Sequence, residues 1–174
     1  MMEILLLSIQ EIALDSIQDP LLYSIIFFIY VILAAIILPI PVEIGLFNPY
    51  MNPAVSVGIM AFGKAIGAAI VFFIGFKIHG KMEQLTDRIP FFQKLLDKTE
   101  GFVRKYGYLG LFIVMSTPLM IDSVSLYLFS ILNPQDNGKT ALGKKWFIAI
   151  NFFAGATRAI IILLVAALFG TRLI

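Results

Sequence analysis

Four charged side chains stand where charge is costly. Glu43, Lys64, Asp122 and Arg158 lie inside otherwise apolar runs of a chain that holds 13 Lys and Arg and 11 Asp and Glu. A charge near the centre of a bilayer costs at least ~2.5–3.5 kcal/mol on insertion scales, so each needs an opposite charge or a water-filled cavity. Two carboxylates can exchange protons or hold a monovalent cation, and two bases can grip an anion. The candidate substrate- or ion-binding residues are therefore Glu43, Asp122, Arg158 and Lys64, with Asn151 beside them. Asn151 precedes Arg158 by seven residues, about two helical turns, so both fall on nearly one helix face. The competing reading is a pair of structural ion pairs, and Lys64 could instead snorkel to the interface.

No catalytic grouping accompanies these charges. The chain has no GxSxG, HExxH or P-loop pattern. Ser116, Ser123, Ser125 and Ser130 have no histidine nearby in sequence, and the single histidine, His79, belongs to another segment. The absence of cysteine excludes disulfides, thiolate catalysis and Cys-built metal sites, and one histidine is too few for a histidine-built metal centre. No catalytic residue, metal or cofactor is expected. A net charge of +2 advertises no nucleic-acid partner.

The elements that must position the charges are apolar. The chain of 174 residues is 60% hydrophobic and 14% charged, with a mean hydropathy of +0.95. A soluble fold of this size could not hide so much apolar surface. The expectation is an all-α integral membrane protein forming a single domain. Residues 1–19 read as an amphipathic interfacial helix ended by Asp19-Pro20. They carry four acids and no Lys or Arg, unlike the positive start of a cleaved signal peptide. Residues 21–53 hold an apolar helix and a first break at Pro39 and Pro41, since two prolines one residue apart cannot continue a helix. A transmembrane helix follows over 54–80, with Gly63 and Gly67 spaced for close helix approach. A basic amphipathic segment is read over 81–105, a second interrupted segment over 107–132 with its break at Pro118, a turn-rich loop over 133–145, and a last transmembrane helix over 146–170. Trp146 beside Lys144 and Lys145 suggests an interface anchor.

Charge distribution orders these elements. The 77–105 loop carries seven Lys and Arg and the 133–145 loop three, against none in the first twenty residues. Basic loops stay cytoplasmic, yet four simple spans would put these two loops on opposite sides. Treating 21–53 and 107–132 as re-entrant hairpins puts both inside. The order becomes hairpin, span, hairpin, span, with the second pair inverted. Broken helices at membrane depth arranged in inverted repeats are an architecture of transporters. The helix ends at the breaks expose N–H groups that attract anions and C=O groups that attract cations.

The motifs carry a resemblance. Leu38-Pro39-Ile40-Pro41-Val42-Glu43, the glycine-spaced helix ending Ile74-Gly75-Phe76-Lys77-Ile78-His79-Gly80, Tyr106-Gly107-Tyr108-Leu109-Gly110-Leu111-Phe112, and Asn151-Phe152-Phe153-Ala154-Gly155-Ala156-Thr157-Arg158 follow one another in the order seen in the DedA family. That family is also called SNARE-associated Golgi or VTT-domain proteins. The chain resembles a divergent branch of it. Ala34 and Ala35 stand where many members carry an acid, and Met115 and Ile121 stand where many carry arginines around the second break. The resemblance implies a lipid transporter or flippase in the cell membrane. It would move a polyprenyl phosphate or a related phospholipid, coupled to protons or a monovalent cation, and could be a homo-oligomer. Two other readings stand beside it: a small-solute or cation/proton antiporter, and a membrane assembly protein that transports nothing.

Overall fold

A computed structural model of the chain describes residues 18–37, 41–86, 105–119, 121–131, 133, 135–136, 139–140 and 142–169. Nearly all of the expected N-terminal amphipathic helix, Pro39 of the first break and most of the basic 81–105 segment lie outside these residues. The architecture is helical. Helix α1 spans Pro20–Ile36, α2 spans Pro53–Thr86, α3 covers residues 105–116, α4 spans Asp122–Ile131 and α5 spans Lys144–Leu168. A 3-10 turn, Val42–Leu46, lies between α1 and α2. Among the described residues two helices are long and apolar enough to cross a membrane: Pro53–Gly75, with a mean hydropathy of 2.2, and Lys144–Leu168, with 2.1.

Local chemistry sets the helix starts. Asp19 caps α1, its Oδ1 accepting the N–H groups of Leu21 at 2.9 Å and Leu22 at 3.3 Å. Pro20 occupies the first position, where a missing N–H costs nothing. Asp19-Pro20, the expected end of a helix, also begins one. The same device opens α2, where Asn52 Oδ1 accepts the N–H of Ala54 at 2.9 Å and Pro53 stands first. Helix α2 also runs past the expected boundary at residue 80 to Thr86; no proline interrupts it there, so the polar stretch continues the apolar helix. Helix α5 takes in Lys144 and Lys145, two residues earlier than expected. The expected turn-rich loop contains a short antiparallel ladder. In it β1 (Gln135–Asp136) pairs with β2 (Lys139–Thr140), Gln135 opposite Thr140. Asn137-Gly138, between the two, is a strong hairpin signal.

Contacts between named residues give the helix directions. Val31 meets Gly63, and Ala35 meets Gly67, so α1 runs parallel to α2 and reaches only that far along it. A Cβ on Gly63 would lie 2.7 Å from Val31 Cγ1; the bare backbone is what lets the two helices touch. Between these helices the chain turns back along α1. Tyr30 donates its hydroxyl to the Pro41 carbonyl at 3.1 Å, and Tyr23 donates to the Gly45 carbonyl at 3.0 Å.

The second half turns back in the other sense. Phe72 packs on Phe147 with ring centroids 5.2 Å apart, and Gly155 lies against Met60 and Lys64, so α5 is antiparallel to α2. Lys144 sits over the Phe73 ring, and the Gly143 N–H donates to Tyr108. Helix α3 therefore starts at the Phe73 end of α2 and runs back toward Lys64. Helix α4 returns, placing Ser130 Oγ on the Val71 carbonyl at 3.1 Å. Asn133 then clamps Leu142, accepting its N–H and donating to its carbonyl. The first break and the second thus approach the middle of α2 from its two ends. One apolar cluster, including Ala68, Val71, Leu111, Met115 and Phe147, lies toward one end. Another, including Phe27, Val31, Val42, Met60 and Ala159, lies toward the other.

Candidate functional site

The two breaks and the two long helices meet at one cluster of charges. Glu43 comes from the 3-10 turn, Lys64 from the middle of α2, Asp122 from the first position of α4, and Arg158 from α5. All four are buried, Arg158 to 0%, Lys64 to 1% and both acids to 5% exposure. Unpaired charges this deep would cost several kcal/mol each, so their mutual pairing is what permits them.

Arg158 is the shared centre. Its Nε donates to Glu43 Oε1 at 2.8 Å, its second terminal nitrogen donates to the same oxygen, and its first donates to Asp122 Oδ1 at 2.8 Å. Lys64 Nζ lies 2.9 Å from Asp122 Oδ1 and donates to the Met115 carbonyl at 3.1 Å. The Leu119 N–H donates to Glu43 Oε1 at 2.8 Å. The cluster holds two acids and two bases, so their formal charges cancel.

The signs of the charges match the helix ends. Helix α3 ends at residue 116 and presents its last carbonyls to the break, where Lys64 takes that of Met115. Helix α4 begins with Asp122, a carboxylate in its first turn. A cation at a helix C-terminus and an anion at an N-terminus are each favourable. The protein's own side chains thus occupy the helix ends that the sequence offered to an anion or a cation.

Every acceptor bond falls on one oxygen of each acid. Glu43 Oε2 and Asp122 Oδ2 are buried without a hydrogen-bond partner, as are Ser56 Oγ, Ser116 Oγ and Asn151 Oδ1. Asn151 is fully buried on the same face of α5 as Arg158, its amide donating to the Phe147 carbonyl at 2.9 Å within that helix. Of the proposed helix breaks, Pro41 and Pro118 stand at turns next to the cluster.

Two backbone groups at the cluster escaped the sequence reading: the Met115 carbonyl and the Leu119 N–H. Leu119 adopts φ 61°. Proline followed by a positive φ is the combination of a type II turn, whose second central position normally holds glycine. Leucine there leaves no signal to read. Among the described residues no group of three or more His, Cys, Asp and Glu could hold a metal ion.

Beside the cluster lies a groove of about 410 Å³, walled by Glu43, Phe47, Pro118, Leu119, Ile162 and Val165, among others. Among the described residues Glu43 is its one ionisable lining residue. The outer residues of this wall, Leu119, Val165 and Phe169, are exposed on the outside of the bundle. No family model matches the chain, and no curated protein or solved structure matches it.

Proposed function

We propose that the chain is a polytopic membrane protein that moves an anionic lipid, a polyprenyl phosphate or a related phospholipid, across the bilayer. The groove is the observation that carries this reading. Its walls are apolar, formed by the 3-10 turn, the Pro118-Leu119 turn and α5, and its inner end is the Glu43 that holds Arg158. A hydrocarbon chain fits such a space, with its polar head at the charged end. Bilayer residence is supported by the exterior: Ile25, Phe62, Phe73, Ile113, Phe153 and Leu164 are all exposed, far more apolar surface than a water-soluble monomer leaves bare.

The turn-backs at 37–52 and 117–121 are read as re-entrant hairpins entering from opposite faces, each followed by a spanning helix, in an inverted repeat. This is the arrangement expected of a transporter that works at the bilayer midplane. The similarity of the break motifs to the DedA family supports the same reading and a place in the cell membrane.

The mechanism follows from Arg158. Arginine stays protonated when buried and grips phosphate with a planar fork, but here its donors rest on carboxylates. A proton delivered to Glu43 removes the charge that holds the guanidinium and frees it for a phosphate. Return of the proton to water restores the Glu43–Arg158 pair and expels the head group. The Glu43 carboxylate and the lipid head group thus compete for one arginine, proton binding favours lipid binding, and no bond is made or broken in the cargo.

A second reading is favoured by one observation: the charge at the groove's inner end is an acid, not a base. A cation/proton antiporter would use Glu43 and Asp122 directly. The readings separate when the groove is filled. Val165→Trp should abolish binding of a fluorescent polyprenyl phosphate to purified protein while helicity is unchanged. Undiminished binding would place the lipid elsewhere and leave the antiporter.

A further inference from the structure

We infer that the Leu119 peptide is a gate on the groove, latched by Glu43. Three observations meet at this residue. Leu119 is the one non-glycine residue with positive φ among the described residues. Its N–H is held by a carboxylate 76 residues away in the chain. Its side chain forms a lip of the groove and is 76% exposed.

The left-handed region is unfavourable for any residue with a Cβ, and leucine lacks the short polar side chain that eases it for Asn or Asp. Such a conformation persists only where the surroundings over-determine it. The exposed side chain supplies little packing to do so. What holds the peptide is the fixed φ of Pro118 and the charge-assisted bond to Glu43 Oε1.

Glu43 is therefore both the inner end of the groove and the clasp on its lip. When the carboxylate lets go of the amide, Leu119 relaxes to negative φ, the peptide turns over, and the lip swings away from Ile162 and Val165. The buried, unpartnered Oε2 of the same carboxylate gives a hydrogen-bond donor on an entering molecule a place to compete for it. Leu119 acts as a positioning residue, through its backbone.

The gate rests on the groove as a space in the fold and not on what passes through it, so a negative lipid assay leaves it standing. The chain has no cysteine, so a single cysteine reports one place. Ile162→Cys on the groove wall is labelled with a maleimide in micelles, with Val124→Cys, outside the groove, as the control. Leu119→Asn keeps a side chain of similar size, adopts the left-handed conformation more readily and should slow labelling at 162 by roughly fivefold. Leu119→Val, β-branched and least tolerant of positive φ, should speed it, and the rate at 124 should hold in both. Equal rates in all three backgrounds, or the reverse order, would overturn the gate. Should Leu119→Val fail to fold, hydrogen exchange of the residue 119 amide decides between wild type and Leu119→Asn. Greater protection in the asparagine variant supports the latch, and unchanged protection removes it.

Discussion

The two breaks solve one problem with different chemistry. At the first, between α1 and α2, the freed backbone carbonyls of Pro41 and Gly45 are taken by the hydroxyls of Tyr30 and Tyr23. At the second, between α3 and α4, the Met115 carbonyl is taken by a buried ammonium, and a carboxylate stands at the start of α4. Neutral partners suffice at the first break. The second depends on charges, and those charges are tied to the first break through Arg158. The acid of the first half pairs with the base of the second, while the base of the first half pairs with the acid of the second. The lesson is that the second break cannot be rearranged without disturbing the first.

This contrast can be broken in a ranked series, measured by unfolding in micelles. Arg158→Met strips both acids of their shared partner and should cost about 3–5 kcal/mol, as for a broken buried ion pair, or prevent folding outright. Arg158→Lys should recover only part of the loss, because one ammonium cannot serve the two carboxylates that three guanidinium nitrogens reach. Next in size is Lys64→Met. Asp122 keeps Arg158, so the expected cost is the orphaned Met115 carbonyl, about 1–3 kcal/mol. Smallest are Tyr23→Phe and Tyr30→Phe, each about 1 kcal/mol. If the tyrosine variants cost as much as Lys64→Met, the contrast between a neutral and a charged break fails.

A second comparison concerns which ends the two turn-backs face. Asn52 and Lys145 are both exposed, and they lie at opposite ends of the bundle. In reconstituted vesicles, Asn52→Cys and Lys145→Cys should label from opposite sides, and labelling from one side only would remove the inverted arrangement.

Much of the site was legible because charge inside an apolar run has few explanations. Glu43, Lys64, Asp122 and Arg158 stand out by type and place alone, and the structure brings them within hydrogen-bond reach of one another. Gly63 and Gly67 announced a close helix approach by their spacing, and α1 supplies the helix. What could not be read was the pairing. Glu43 and Arg158 are 115 residues apart, and four charges of two signs admit several matchings that local sequence does not rank. Asn151, seven residues from Arg158, shares its buried face of α5, while its amide donates to its own helix at Phe147. Asp19-Pro20 was ambiguous for a physical reason, since proline both stops a helix before it and starts one after it. The strained Leu119 amide had no sequence mark at all.

The measurement that bears most directly on lipid movement through the groove at Glu43 is reconstitution in liposomes with a labelled polyprenyl phosphate, following its passage between leaflets. Wild-type protein should accelerate that passage above protein-free liposomes. Glu43→Gln, incorporated to the same level and equally helical, should lose most of the acceleration. Wild-type liposomes no faster than protein-free ones, or Glu43→Gln as fast as wild type, would contradict the account.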